Sequence, residues 1–343
     1  MKNTNSDRPL VTFALFAYNQ EQYIREAVEG AFSQTYEPLE IILSDDCSTD
    51  RTFEAMQEMA AAYVGPHEVR VRRNGMNLGT IDHVITVAKE AKGELLVVAA
   101  GDDVSLPART SQICAVWRDN RPFAIISNHD RISDSGMLAA KNERYEPLDR
   151  FQSFMETCTV AIRYDGKIRN IPGYCAAYNK KFIARTPLSG EKLFNEDSLF
   201  SYLINFEGGN IEYIDQSLLK VREARTSVTA RKLHKASLAE ISDRERKLEW
   251  GCYSKMRFYL FLFRICEDRN YKGFQSVRKK LHKDLLNNDF VVNYYSKPVM
   301  IRFASIVFAK NKVQRRFAAI RLFGIYSVWV LFRAQNIIER IKR

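Results

Sequence analysis

The chain has 343 residues, of which 46% are hydrophobic and 27% charged, a globular composition long enough for one large core or two smaller ones. A polar stretch at residues 1–9 predicts no signal peptide, and six cysteines without a Cys-x-x-Cys pair predict reduced thiols and no zinc site. The net charge of +11 is uneven: residues 231–343 have a net charge of +17 and residues 1–230 a net charge of −6. We therefore expect two parts with different partners.

Strands and helices are predicted to alternate along the first hundred residues. Apolar runs predict strands at 11–16, 39–43, 69–71 and 94–99, and helical spacing predicts helices at 21–33, 52–63 and 81–91. Ser48 or Asp50 is placed to cap the second helix. This alternation is typical of βαβ units and a mainly parallel sheet. Neither a Gly-x-Gly-x-x-Gly nor a Walker A motif is found, which argues against an NAD enzyme and a P-loop ATPase.

Two aspartates follow the fourth predicted strand. Gly101 can end this strand, so Asp102 and Asp103 are expected at the carboxyl edge of the sheet, where open α/β sheets bind ligands. Adjacent acids in a poorly solvated cleft repel each other unless a cation is present, and Mg²⁺ or Mn²⁺ prefers oxygen ligands and often bridges to phosphates. The pattern fits either a metal–diphosphate site or a solvated turn.

A second acidic pair, Glu196 and Asp197, precedes an apolar helical segment. Acids at a helix N-terminus interact favourably with the helix dipole, which is one interpretation. The other is a general base that takes a proton from an incoming hydroxyl beside a metal-bound phosphate. The pattern alone leaves both open.

Residues 9–230 resemble the inverting glycosyltransferases of family 2, which have the GT-A fold. Each motif is weak alone, but many occur in the family order: Phe16-Ala17-Tyr18-Asn19, Ser33-Gln34-Thr35-Tyr36, Ser44-Asp45-Asp46-Cys47-Ser48-Thr49-Asp50, Asn77-Leu78-Gly79, Gly101-Asp102-Asp103, Leu106-Pro107, Gly173, Glu196-Asp197, and Arg222 with Ser227. The subgroup that the chain most resembles is the bacterial surface-polysaccharide transferases of O-antigen type. The late loop departs from the family's Tyr-Arg-x-His-x-x-Ser pattern, because Val221 and Ala224 replace the tyrosine and the histidine.

The resemblance implies a GT-A domain over residues 1–230, with a mainly parallel sheet flanked by helices, and a basic helical C-terminal region over 231–343. It implies a donor site formed by Ala17, Tyr18, Asn19, Asp46, Asp102 and Arg222, with Asp46 at the base and Asp102 at the ribose or sugar. Asp103 would bind Mn²⁺ or Mg²⁺ through the diphosphate. Asp197 would be the catalytic base and Glu196 would support the acceptor, with Gly173 and Tyr174 also on the acceptor side. Arg222 or Arg225 would replace the positive charge of the missing histidine.

The expected reaction is direct displacement, with inversion, of a nucleoside diphosphate from a nucleotide-sugar donor by a hydroxyl of a lipid-linked glycan acceptor. One alternative is an inactive GT-A scaffold or lipid-binding partner. Another is a sugar-nucleotide nucleotidyltransferase, although residues 13–20 lack the Gly-rich basic loop that this chemistry needs.

The basic C-terminal region contains apolar runs at 258–263 and 322–332, flanked by arginines and shorter than the roughly 20 residues of a membrane span. Three interpretations are an interfacial helix on an anionic leaflet, a helical subdomain packed on the transferase core, and nucleic-acid binding. No RNA-recognition motif or zinc-finger spacing supports the last. A lipid-linked acceptor favours the first, which predicts a cytoplasmic protein that is peripheral on the inner face of the membrane.

Overall fold

The structure, a computed structural model, describes residues 8–143, 171–223, 257–271 and 274. The chain divides into two compact units, residues 1–227 with 271–273 and residues 228–270 with 274–343. The first unit contains, in chain order, β1 (Val11–Ala17), α1 (Ile24–Phe32), β2 (Leu39–Asp45), α2 (Thr52–Ala61), β3 (Glu68–Arg73), α3 (Gly79–Glu90), β4 (Leu95–Ala100), β5 (Val104–Ser105), α4 (Arg109–Asn120), β6 (Ala124–Ser133), β7 (Leu138–Glu143), a 3₁₀ turn (Gly173–Cys175), β8 (Ala176–Asn179), α5 (Lys180–Ala184), α6 (Glu196–Glu207) and β9 (Ile211–Glu223).

Four parallel strands form one half of the sheet, in the order β3-β2-β1-β4. β1 and β2 are apolar over most of their length and almost fully buried, as expected for strands covered on both faces. In β1, Phe16 pairs with Ser44 of β2 and with Ala100 of β4. The three strands therefore end at the same level, and the loops that follow them meet at one edge of the sheet.

The other half of the sheet begins with the short strand β8, which runs antiparallel to both β4 and β6. Because β8 is antiparallel to both neighbours, β6 runs in the same direction as β4, and β9 is parallel to β6. Both β6 and β9 therefore end at the same edge of the sheet as β1 and β4. Among the described residues the sheet has nine strands, with β5 and β7 pairing antiparallel to β9 and β6. The mainly parallel α/β sheet predicted from the sequence is confirmed.

Helices cover the sheet through apolar faces. In α1, the spacing of Ile24, Ala27, Val28 and Ala31 places these buried residues on one side of the helix, against the core formed by β1 and β2. Of the two candidate caps of α2, Asp50 accepts hydrogen bonds from the Thr52 amide (3.0 Å) and hydroxyl, whereas Ser48 bonds instead to Asp45.

The described part of the second unit is a helix at 257–268, followed by residues up to 271 and by 274. Its aromatic and aliphatic residues are mostly buried, with Phe258, Phe261 and Leu262 among them, whereas Leu260 is 46% exposed. The predicted apolar run at 322–332 lies outside the described residues. Within the described part of the chain, no helix combines the length and hydrophobicity that crossing a membrane would require.

Candidate active site

The loop that follows β1 is tied to the loop that follows β2. The Asp46 amide donates to the Ala17 carbonyl (2.9 Å), and the Asn19 amide donates to the Ser48 hydroxyl (2.9 Å). The Asn19 side-chain carbonyl accepts from the Thr49 amide at 2.8 Å, with Asn19 in the left-handed region at φ 53°. Ala17, Tyr18 and Asn19 thus lie together at the carboxyl edge, with the Tyr18 side chain 43% exposed there.

Asp46 holds the loop that leads into α3. Its Oδ1 accepts from the Asn74 side chain (2.7 Å) and from the Leu78 amide (2.9 Å), and its Oδ2 accepts from the Gly79 amide (3.1 Å). Both carboxylate oxygens are therefore engaged within the protein, and the side chain is only 4% exposed. The predicted contact of Asp46 with the nucleotide base remains a prediction.

A buried polar network beneath this loop was not predicted from the sequence. His83 of α3 lies 2.6 Å from the Ser44 hydroxyl, which also accepts from Arg72 at 2.7 Å, and Arg72 donates to Asn74 as well. Burial lowers the pKa of His83 to about 4, against the opposing effect of Asp46, so the imidazole is neutral at pH 7. His83 has no local sequence signal, because its partner lies 39 residues away.

Asp102 and Asp103 lie in the turn between β4 and β5, as predicted. Asp103 is buried at 6% exposure, whereas Asp102 is partly exposed and accepts a hydrogen bond from the Gln20 side chain. Burial, together with repulsion from Asp102, raises the pKa of Asp103 to about 7; burial also raises the pKa of Asp102. A divalent cation held by Asp103 would lower the cost of both buried charges.

The donor set limits what such a cation would bind. The described residues contain no group of three or more His, Cys, Asp or Glu side chains placed to hold a metal ion. Mg²⁺ and Mn²⁺ are commonly held by one or two carboxylates together with substrate phosphates and water, so the aspartate pair fits a cation shared with a bound diphosphate. Asp103 would hold the cation, because it is the more buried of the two.

Arg222, near the end of β9, contacts this turn. Its main-chain amide donates to Oδ1 of Asp103 at 2.9 Å, and its Nε donates to the Asp102 carbonyl at 3.1 Å. The Nη atoms donate to the Asp134 carbonyl and to the Glu26 carboxylate, both at 2.9 Å. The side chain is therefore oriented by the protein, and Arg225 lies outside the described residues.

A second buried arginine, Arg109 of α4, was missed by the sequence analysis. It is fully buried and donates to the Val98 carbonyl (2.7 Å), the Tyr174 carbonyl (3.1 Å) and the Ser105 hydroxyl (2.8 Å). Burial lowers its pKa to about 10, which still leaves it charged, and its charge stabilises the ionised form of Asp103. Arg109 thus connects the β4–β5 region to the turn that carries Tyr174.

Glu196 and Asp197 form the first turn of α6, after Asn195 in the left-handed conformation at φ 68°. Burial, with repulsion from Asp197, raises the pKa of Glu196 to about 7, although a hydrogen bond with Thr80 opposes the rise. Burial also raises the pKa of Asp197, whose Oδ1 accepts from the Ser198 amide at 2.6 Å. The helix dipole therefore does not cancel the cost of burying two adjacent acids.

Gly173 and Tyr174 form a turn between the two acidic pairs. A Cβ atom on Gly173 would lie 2.5 Å from Oε1 of Glu196, so the carboxylate packs directly against the glycine. The Tyr174 carbonyl accepts from Arg109, and the Tyr174 ring makes an edge contact with the buried His129 of β6 at 5.4 Å between centroids. One short turn thus contacts Glu196 on one side and a neighbour of Asp103 on the other.

The segment before α6 is anchored to α3. Asp82 accepts from the Ser189 amide (2.7 Å) and the Gly190 amide (3.0 Å), and the Ile81 amide donates to the Leu193 carbonyl (3.3 Å). The Lys192 Nζ lies 5.7 Å from the centre of the Tyr18 ring. α3 therefore positions the segment that carries the second acidic pair against the loop after β1.

The sheet and the loops at its carboxyl edge thus define a mainly parallel α/β domain, with one acidic pair after β4 and a second in the first turn of α6. The profile described as "Glycosyl transferase family 2" matches residues 12–186. The chain belongs to this family.

Curated relatives agree with this family. An uncharacterized protein of Mycobacterium tuberculosis is 29% identical over 188 residues, which cover 51% of this chain and 53% of the relative. The putative glycosyltransferase EpsH of Bacillus subtilis is 24% identical over 240 residues, covering 68% of this chain and 67% of that protein. The chain spans about half the length of the first of these relatives.

One solved structure shares the fold, and a second is similar over most of its length. A structure of GalNAc-T7 with UDP, GalNAc and Mn²⁺ has a TM-score of 0.53 at 15% identity, covering 82% of this chain and 58% of that one. Residues 1–349 of Staphylococcus aureus TarS, in complex with UDP-GlcNAc, have a TM-score of 0.49 at 14% identity, covering 94% and 91%. With the strand order described above, the first likeness confirms the predicted GT-A fold.

Proposed function

We propose that this protein is a metal-dependent, inverting glycosyltransferase that moves a hexosyl group from a nucleotide sugar to a hydroxyl of a lipid-linked glycan in bacterial surface-polysaccharide synthesis. The observation that carries the proposal is the turn of Gly173 and Tyr174, which packs directly against Glu196 and accepts a hydrogen bond from Arg109, whose charge acts on Asp103. One acidic pair can serve the leaving diphosphate while the other serves the attacking hydroxyl.

The donor side is formed by the loops after β1, β2 and β4. Ala17, Tyr18 and Asn19 border the proposed nucleotide pocket, with Asp46 at the base and Asp102 at the ribose or sugar. Tyr18 supports this because it is an exposed aromatic ring at the carboxyl edge. The predicted contact of Arg222 with the donor requires its guanidinium to exchange at least one protein acceptor for a phosphate oxygen.

The leaving group is the nucleoside diphosphate, which gains negative charge as the glycosidic bond breaks. A divalent cation held by Asp103 would stabilise that charge as a Lewis acid. Asp102 and Asp103 contribute a buried site of high negative charge, and Arg109 limits the repulsion within it. Mn²⁺ and Mg²⁺ both suit these oxygen ligands.

Asp197 is proposed to accept the proton of the acceptor hydroxyl. A carboxylate with a raised pKa is a stronger base than one in water, and the pKa of Asp197 is raised by burial. Glu196 is proposed to bind the acceptor, with Gly173 and Tyr174 beside it. Because one base acts on the acceptor and no second carboxylate is assigned as a nucleophile, the expected stereochemical outcome is inversion.

The basic C-terminal region is proposed to lie on the anionic inner surface of the cell membrane, where a lipid-linked acceptor would be reached. The helix at 257–268 buries most of its apolar residues within the protein, so this proposal rests on the 322–332 run and its flanking arginines. Sedimentation with anionic but not neutral vesicles, lost on truncation near residue 290, supports it. Equal binding to both vesicle types contradicts it.

The proposed activity is tested by incubating the full chain with UDP-, GDP- and dTDP-sugars, Mn²⁺ and a mixture of undecaprenyl-diphosphate-linked saccharides. The expected result is metal-dependent release of one nucleoside diphosphate together with a glycolipid product in which the anomeric configuration is inverted. In a parallel incubation with a sugar phosphate and a nucleoside triphosphate in place of the donor and acceptor, release of pyrophosphate would identify a nucleotidyltransferase instead. Absence of all turnover, with an intact fold and intact lipid binding, would identify an inactive scaffold.

A further inference from the structure

Arg222 connects four separate segments around the Asp102–Asp103 turn. Arg222 belongs to β9 and donates hydrogen bonds to Asp102 and Asp103 of the β4–β5 turn. It also donates to the carbonyls of Ser133 (3.4 Å) and Asp134 (2.9 Å) at the end of β6. It forms an ion pair with Glu26 of α1 at 2.9 Å. These segments are up to 196 residues apart in sequence.

The side chain of Arg222 is buried, unlike most arginines. Its exposure is 6% for the whole residue and 1% for the side chain, and the guanidinium lies 4.9 Å from the centre of the Tyr23 ring. All three guanidinium nitrogens have acceptors within the protein. Since a buried arginine is costly unless fully paired, this geometry indicates a residue that fixes its surroundings.

The main-chain amide of Arg222 orients the carboxylate of Asp103. The amide donates to Oδ1 at 2.9 Å, which restrains the orientation of the carboxyl group. The pairing of Arg222 with Ile132 of β6 places this amide, and the guanidinium ties the end of β9 to the Asp102 carbonyl and to the Asp134 carbonyl.

We propose that Arg222 is a positioning residue for the metal–diphosphate site: it holds Asp102 and Asp103 in the geometry that couples cation binding to nucleotide binding. This inference rests on the proposed function, since it requires that Asp103 hold the cation. It differs from a direct phosphate contact, in which the guanidinium itself would bind the diphosphate.

The two roles separate in a binding experiment that needs no turnover. The dissociation constant of UDP, GDP or dTDP, whichever binds the wild-type chain most tightly, is measured by calorimetry with and without Mn²⁺. If Arg222 is a positioning residue, Arg222→Met leaves the dissociation constant measured without Mn²⁺ within about twofold of the wild type. The factor by which Mn²⁺ lowers that constant then falls about tenfold or more, which is the usual effect of losing a group that orients a metal ligand. For a direct contact, metal-free binding weakens and the tightening by Mn²⁺ is retained, which would overturn the proposal.

Three further variants keep the test interpretable. Arg222→Lys retains the charge but not the forked guanidinium geometry, so it should lose most of the effect of Mn²⁺ on nucleotide binding. If Arg222 instead bound phosphate directly, lysine would retain part of that contact. Glu26→Gln removes the negative charge that pairs with the guanidinium and should modestly reduce the effect of Mn²⁺ on nucleotide binding. Arg25→Ala, which removes an exposed ion pair with Glu58, should leave both constants unchanged.

Folding and function are checked separately. If Arg222→Met unfolds the protein, Arg222→Lys and Glu26→Gln carry the test. If the wild-type chain binds no nucleotide more tightly with Mn²⁺, the proposed metal site itself is wrong. If the wild type shows coupling and the folded Arg222 variants retain all of it, only the role of Arg222 is wrong.

Discussion

Gly173 and Glu196 are packed so closely that a single methyl group between them has no room. A Cβ atom on Gly173 would come within 2.5 Å of Oε1 and 3.6 Å of Cδ of Glu196, and within 3.5 Å of Cβ of Asp197. The atoms that would have to move are those of the second acidic pair. The absence of a side chain at residue 173 therefore sets the position of the proposed acceptor-binding carboxylate.

Substituting Gly173→Ala should lower kcat about tenfold with little effect on stability, because the flexible end of Glu196 can give way while the backbone stays in place. Steady-state kinetics and a thermal melt measure the two effects. Gly75→Ala is the matched control, since a Cβ atom there meets no atom within 4 Å. Unchanged kinetics in Gly173→Ala would show that Glu196 is not held at the reacting groups.

The rate should depend on pH through the second acidic pair. Burial and Asp197 raise the pKa of Glu196 to about 7, so Glu196 loses its charge as the pH falls toward 6, and burial raises the pKa of Asp197 as well. We expect kcat to decline between pH 8 and pH 6, measured at saturating donor and Mn²⁺ so that titration of Asp103 does not contribute. A profile that is flat from pH 6 to pH 8 would contradict the assignment.

Glu196 should make the protein less stable at neutral pH. Its folded-state pKa is raised from 4.5 to about 7, so the native state keeps a proton that the unfolded chain releases, and stability falls as the pH rises through this interval. Glu196→Gln should remove that loss, on the order of 3 kcal/mol, and raise Tm at pH 8 by roughly 5–10 °C. The gain should vanish near pH 4, below the unfolded-state pKa of 4.5, and Glu29→Gln on the exposed face of α1 should show no such pattern.

Asp197→Asn should reduce turnover at least about a hundredfold, because the amide cannot accept the acceptor proton. Nucleotide binding should survive, since Asp197 is assigned to the acceptor side. Ser198→Ala is the comparison: it removes the Ser198 hydroxyl bond to Asp197 but keeps the carboxylate and the main-chain amide that bonds it at 2.6 Å, so most of the turnover should remain. Turnover within a few fold of the wild type in Asp197→Asn would remove this residue as the base.

The first half of the sheet could be predicted because each of its strands and helices has a clear pattern of apolar residues in its own sequence. The apolar runs of β1, β2 and β4 and the helical spacing of α2 and α3 agree with the structure to within one or two residues at most ends. The polar residues that follow these strands are also visible in the local sequence, so Asn19, Asp46 and Asp102 could be predicted at the ends of the strands. Parallel register then brings them together without any further information.

The supporting residues could not be predicted, because their partners are distant in sequence. Arg109 begins a helix of weak apolar pattern, and its role depends on a carbonyl 65 residues away. Thr80 reaches Glu196 from the start of α3. β9 mixes charged, polar and apolar residues over 13 positions, so its pairing with β6 is decided by tertiary packing rather than by its own pattern.

A cation–diphosphate site at Asp103 is best tested by a thermal-shift comparison. The full chain and the Asp103→Asn variant are melted with UDP-, GDP- and dTDP-sugars, each with and without Mn²⁺. We expect sugars of one nucleotide to raise the Tm of the wild type more with Mn²⁺ than without, and Asp103→Asn to lose the metal-dependent part of this shift. A shift that is independent of Mn²⁺, or one that Asp103→Asn retains in full, would contradict it.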